Sequence, residues 1–80
     1  MTDEESKEVV AYNVNRILER LDRSRYWLAQ ETGEWESRIA NVCNGKVCCG
    51  AGLLSRISKA LGVTVDELFS PIRKKHSKAS

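Results

Sequence analysis

Three hydrogen-bonding side chains in the middle of the chain, those of Glu36, Ser37 and Asn41, are spaced to share one face of a short helix. A carboxylate accepts hydrogen bonds, an amide donates and accepts, and a hydroxyl does either. In a DNA major groove such groups can pair with base edges, Asn with adenine, Glu with cytosine and Ser with either. Every amphipathic helix has a polar face, so the meaning of this one depends on the elements that position it.

Residues 24–45, which contain these side chains, have the spacing of two short helices joined by a tight turn. A small side chain at Ala29 allows a second helix to cross closely, and Gly33 can adopt the left-handed conformation that ends a helix. Ile39 then lies on the inner face of the second helix, opposite Ser37 and Asn41. A glycine-containing turn that holds a second helix at a fixed angle is the architecture that delivers side chains to the major groove.

A longer series in the same register strengthens this interpretation: Leu28-Ala29, Gly33, Ile39, Asn44-Gly45 and Ala60-Leu61-Gly62-Val63. With this series, residues 9–69 resemble the helix-turn-helix domain of the phage-repressor (Cro/XRE-like) family. The resemblance implies an all-α fold, a compact five-helix domain of the phage-repressor helix-turn-helix type. It places a DNA-binding domain at residues 9–70, between an acidic N-terminal extension (1–8) and a basic C-terminal tail (71–80).

The resemblance also implies roles for individual residues. The positions that match the family's base-reading residues are Glu36, Ser37 and Asn41. Arg38 is expected beside them, within reach of a flanking base or a phosphate. The positions that match its contacts to DNA phosphate are Arg25, Asn44 and Lys46. Carboxylates repel phosphate, so Glu34 and Glu36 predict specificity obtained at some cost in affinity.

The turn departs from the family pattern. The family usually has an apolar residue after the glycine and then a small capping residue, whereas this chain has Glu34 and Trp35. Two arrangements are open: Glu34 reaches solvent while Trp35 supplies the apolar contact, or the turn has a slightly different shape.

Hydrophobic spacing predicts the remaining elements. The first helix is expected from about Glu5 or Glu8 to Leu21, with an inner stripe of Val10, Val14, Ile17, Leu18 and Leu21. Ser24 is a suitable N-cap for the second helix, and the third is expected from about Trp35 to Cys43. A fourth helix ends at Gly62, and a capping box, Thr64 with Glu67, begins a fifth that turns Val65, Leu68 and Phe69 inward.

Composition and charge restrict the class of protein. Eighty residues, 41% apolar and 30% charged, predict one globular domain. No run approaches the roughly 18 apolar residues that span a bilayer, and the acidic start is unlike a secretory signal, so we expect a cytoplasmic protein without membrane contact. The net charge is only +2, but Arg73, Lys74, Lys75 and Lys78 lie close together in the tail, which is either simply solvated or able to touch phosphate.

The cysteines and the histidine do not predict a chemical centre. Cys43, Cys48 and Cys49 are odd in number, and neither they nor His76 form a metal-binding spacing, so we expect no disulfide framework, metal or cofactor. Cys43 should pack as a small apolar residue beside Ile39. No catalytic constellation is present, so we expect a protein that is not an enzyme.

The sequence therefore predicts a small prophage-type repressor that binds double-stranded DNA at a pseudo-palindromic operator. It should form a weak homodimer through its C-terminal region, where Phe69 and Ile72 are candidates. The alternative is an antitoxin-like module that binds a small protein partner and contacts DNA only secondarily.

Overall fold

The computed structural model describes residues 2–70, which form five α-helices and no strand. The helices are α1 (Asp3–Leu21), α2 (Arg25–Thr32), α3 (Glu36–Cys43), α4 (Ala51–Leu61) and α5 (Val65–Leu68). The predicted all-α class is therefore confirmed. The radius of gyration, 12.3 Å, is near the value of roughly 12 Å typical of a folded chain this long.

Helix α1 begins earlier than predicted because a capping box starts it. The Thr2 hydroxyl accepts from the Glu5 backbone N–H at 3.2 Å, and Glu5 Oε1 accepts from the Thr2 N–H at 2.9 Å. These two bonds satisfy backbone donors that would otherwise lack a partner. Most of the acidic segment at the N-terminus is consequently part of α1.

The other helix boundaries follow the local sequence closely. Ser24 caps α2 by accepting from the Trp27 N–H at 3.0 Å, and Gly33 ends it in the left-handed conformation, with φ of 74°. Gly62 ends α4 in the same way, with φ of 73°. Thr64 and Glu67 form the predicted capping box at the start of α5. These four predictions are confirmed.

All five helices contribute to one core. Its most deeply buried apolar side chains are Val14, Ile17, Leu28, Ile39, Val42, Ile57 and Leu68. Two predicted core residues are exposed instead. Leu21 is 40% exposed because it is the last residue of α1, and the chain turns away at Asp22 in the left-handed conformation. Val65 is 36% exposed at the first position of α5, while Leu68 and the half-buried Phe69 face the core.

Two asparagines on α1 tie distant parts of the chain to that helix. The Asn13 amide is buried and donates to the backbone carbonyls of Leu68 and Ser70, both at 2.9 Å. The Asn15 amide donates to the Cys43 carbonyl at 2.7 Å, at the C-terminal end of α3. Helix α1 therefore supports both α5 and α3.

Within residues 2–70, no helix combines the length and the apolar character that crossing a membrane requires. The basic tail, His76 and the proposed dimer contact Ile72 lie outside the described residues.

Candidate nucleic-acid interface

Helix α3 has one buried and one exposed face, and the two are divided as its sequence predicts. Ile39 and Val42 are almost fully buried, at 0% and 1% exposure, and Cys43 is buried with them. Glu36, Ser37, Arg38 and Asn41 are all exposed. Helical spacing alone explains this division, because residues three and four apart share a face.

Three of the four predicted base-reading residues share one concave surface. Ser37, Arg38 and Asn41 line a depression of about 330 Å³ together with Trp35 and residues of the loop after α3. Glu36, at the first position of α3, lies on the neighbouring surface, in a second depression of about 450 Å³. The exposed side of α3 thus offers hydroxyl, amide, guanidinium and carboxylate groups side by side.

Two of the predicted phosphate contacts meet. Arg25 Nη2, at the start of α2, donates to Asn44 Oδ1, at the end of α3, at 3.2 Å. Lys46 follows two residues later and is exposed, and its backbone N–H donates to the Asn41 carbonyl at 2.9 Å. Gly45 makes this tight turn possible with φ of 70°. The three predicted residues therefore lie around the C-terminal end of α3.

The first arrangement that the sequence left open for the turn before α3, with Glu34 in solvent and Trp35 supplying the apolar contact, is wrong, because Glu34 is sheltered and Trp35 is exposed. The Glu34 side chain is only 15% exposed, and its carboxylate pairs with Arg56 Nη2 at 2.8 Å and with Arg38 Nε at 3.5 Å. Arg56 also donates from Nη1 to the Thr32 carbonyl at 3.1 Å. Two guanidiniums, one from α3 and one from α4, thus compensate the carboxylate where the turn would otherwise hold an apolar residue.

This pairing changes the expected electrostatics of the surface. A carboxylate held between two guanidiniums repels phosphate much less than an isolated one. Of the two acidic residues expected to weaken DNA binding, Glu36 alone makes no ion pair within residues 2–70. The Arg38 side chain is paired with Glu34, so a contact from Arg38 to a base or a phosphate would have to replace this ion pair.

Trp35 is a prominent surface residue that the sequence interpretation did not include in the site. Its side chain is 80% exposed, and it forms part of the wall of both depressions beside α3. Tyr26, itself 58% exposed, also lines the larger depression. The departure from the family pattern at this position was the signal that could have identified Trp35.

The cysteines lie in three different environments. Cys43 is buried and Cys49 half-buried, while Cys48 is exposed in the loop. Burial raises the pKa of the Cys43 thiol, and the nearby Arg25 guanidinium opposes that rise only in part. Burial also raises the pKa of Cys49, to about 11, which keeps this thiol protonated and unreactive at neutral pH. Among residues 2–70, no three His, Cys, Asp or Glu side chains are placed to hold a metal ion.

No family model matches the chain, and no curated protein or solved structure is significantly similar to it.

Proposed function

We propose that this chain binds double-stranded DNA in a sequence-specific manner, as a small cytoplasmic transcriptional repressor of the phage-repressor helix-turn-helix type. In this proposal α3 is the recognition helix. The observation that carries the proposal is the exposed polar face of α3, which stands beside the Gly33 turn while its opposite face is buried in the core.

The packing of α2 and α3 supports this role. Gly33 adopts the left-handed conformation that reverses the chain between the two helices, and Glu34 N–H donates to the Ala29 carbonyl at 3.0 Å to close the turn. The α3 helix contacts both α1 and α2. A short helix supported from behind in this way is able to enter a major groove with its side chains already directed outward.

The side chains on that face are suited to reading bases. Asn41 is able to donate to and accept from adenine, and the Ser37 hydroxyl is able to do either with several bases. Glu36 would accept from cytosine N4. Arg38 would reach a guanine or a flanking phosphate after leaving its 3.5 Å contact with Glu34.

The ends of the two helices would supply the contacts that fix the register on DNA. Arg25, Asn44 and Lys46 place two cations and an amide around one end of α3. Such groups contact phosphate irrespective of sequence and orient the reading helix. The basic residues 73–78 would add attraction for the polyanion.

A helix as short as α3 reads only a few base pairs, so we propose that two chains bind together. Two-fold pairing would place the recognition helices one DNA turn apart, about 34 Å, on a pseudo-palindrome. Exposed Val65 provides apolar surface at α5 for a weak dimer, and the part of Phe69 that the core does not cover would add to it.

The decisive experiment is a selection of bound duplexes from a random-sequence pool by the full chain. We expect one enriched, pseudo-palindromic sequence, two chains per duplex in sedimentation, and much weaker binding to an isolated half-site. Failure to enrich any sequence, together with a small protein that co-purifies stoichiometrically, would favour the antitoxin-like alternative.

A further inference from the structure

We propose that Trp35 is a specificity-determining contact, whose indole packs against the 5-methyl group of a thymine in the major groove. This inference deepens the proposed function and rests on it. It adds an apolar contact to the hydrogen-bonding positions predicted on α3.

Neither packing nor local helix chemistry explains a tryptophan at this position. Tryptophan is ordinarily well buried, but Trp35 is 80% exposed and contributes nothing to the core. Trp35 is the N-cap of α3, a position that favours serine, threonine, aspartate or asparagine. It makes no side-chain capping bond there, so α3 begins without the stabilisation that three of the other helices have.

The location of Trp35 is the one that approaches base edges in this type of docking. The N-terminal residues of a recognition helix are those that contact bases. Trp35 directly precedes α3, and it lines the same depression as Ser37, Arg38 and Asn41. The indole is therefore continuous with the proposed reading surface.

The surroundings of Trp35 define the chemistry of its partner. Cationic side chains at the other end of α3, Arg25 and Lys46, favour a polyanion, whereas the indole itself requires an apolar contact. The 5-methyl group of thymine is the apolar group that the major-groove edge of a base pair presents. A duplex with a thymine opposite the start of α3 satisfies both requirements.

The test uses the duplex recovered by selection with the wild-type chain, and a random duplex of equal length as reference. Each thymine in the selected duplex is replaced in turn by deoxyuridine, which lacks only the methyl group. For the wild-type chain, we expect one replacement in each half-site to weaken binding about fourfold, the equivalent of one lost apolar carbon.

The matched variant is Trp35→Ser, which removes the indole and supplies a good N-cap, so that α3 is not weakened. We expect this variant to bind the selected duplex about tenfold more weakly, which is within the range of affinity lost when one base pair of a site is mismatched. Its affinity for the random duplex should not change. The deoxyuridine replacement that weakens the wild-type chain should have no effect on this variant.

A fluorescence measurement provides an independent readout. The chain has two tryptophans, so Trp27→Phe leaves Trp35 as the single indole fluorophore. Binding of the selected duplex should strongly reduce quenching of this fluorophore by acrylamide. If Trp35→Ser binds the selected duplex as tightly as wild type, or if quenching is the same with and without duplex, this inference is wrong while the proposed function stands. If the wild-type chain selects no duplex at all, both are wrong.

Discussion

Two asparagines of this domain lie in opposite surroundings. Asn13 lies where α1 packs against α5, and Asn41 lies on the outer face of α3. Where α1 packs against α5, Asn13 is 1% exposed, and its amide donates to the backbone carbonyls of Leu68, the last residue of α5, and of Ser70, just after the helix. On α3, Asn41 is exposed to solvent. The same side chain therefore serves the fold in one region and is available to a partner in the other.

Burial explains the difference in what each amide contributes. A buried carbonyl without a donor is costly, so Asn13 stabilises the C-terminal end of α5 by donating to the buried Leu68 carbonyl and to the partly buried Ser70 carbonyl. An exposed amide exchanges hydrogen bonds with water at little net gain, so Asn41 has a small effect on stability. An exposed polar side chain that contributes little to the fold is a better candidate for recognition than a buried one.

The strongest test of this comparison is Asn13→Ala. We expect the free energy of unfolding to fall by about 3 kcal/mol, because the buried Leu68 carbonyl and the partly buried Ser70 carbonyl both lose their donor. Chemical denaturation followed by circular dichroism measures the loss. The Asn41→Ala variant is the matched control, and its stability should stay within about 0.5 kcal/mol of wild type. Equal losses in the two variants would contradict the comparison.

Asn41→Ala should instead affect binding. We expect specific binding to weaken by about 1–3 kcal/mol, while binding to unrelated duplexes stays the same, because only the contact to a base is removed. Titration of the selected and the random duplex by gel shift measures both. An equal loss on the two duplexes would remove Asn41 from the reading surface.

Lys46→Ala should weaken binding to all duplexes alike and reduce the slope of log affinity against log salt by about one unit. Lys46 is a cleaner test than Arg25, because Arg25 also donates to Asn44 within the protein. Lys59→Ala is the control, since Lys59 is also exposed but lies in the last turn of α4, at the opposite end from the Lys46 loop. An unchanged slope for Lys46→Ala would show that this loop does not contact phosphate.

The smallest effect is expected from Cys49, which lines a small cavity with Val10, Leu54 and Phe69 on the α1–α5 side of the molecule. Its pKa is raised from 9.0 to about 11 in the folded chain, so the folded state retains a proton that the unfolded state loses. The contribution of the protonated Cys49 thiol to the free energy of unfolding is complete below pH 9 and is lost as pH rises toward 11. In Cys49→Ala this contribution is absent, so the free energy of unfolding should fall less between pH 9 and 11 than in the wild type. Chemical denaturation at several pH values measures the difference. If the free energy of unfolding depends on pH in the same way in both proteins, Cys49 is not the group responsible.

Structural features that depend on neighbouring residues were predictable from the sequence. The caps at Ser24, Gly33 and Thr64 are local, and the spacing of Ile39 and Asn41 alone assigns them to opposite faces of α3. Leu21 and Val65 were misplaced because helical spacing describes a face but not where the helix ends relative to the core.

Features that join distant residues were not predictable in the same way. The Asn13 amide and the Leu68 carbonyl are 55 positions apart, and Arg56 and Glu34 are 22 apart. Nothing local in either sequence segment indicates its partner. In the turn before α3, Glu34 is consequently the sheltered residue, and the neighbouring Trp35 is exposed.

Side chains of other helices form hydrogen bonds near both ends of helix α3. Asn15 of α1 holds its last carbonyl at 2.7 Å, and the Glu34 carboxylate, just before its first residue, is bound by Arg56 of α4 at 2.8 Å. These two contacts restrict the orientation of α3 in the folded chain. A surface ordered in advance loses little conformational entropy on binding, so its contacts contribute more fully to affinity. Asn15 and Arg56, neither of which belongs to the proposed reading face, would then influence affinity through the entropy of α3.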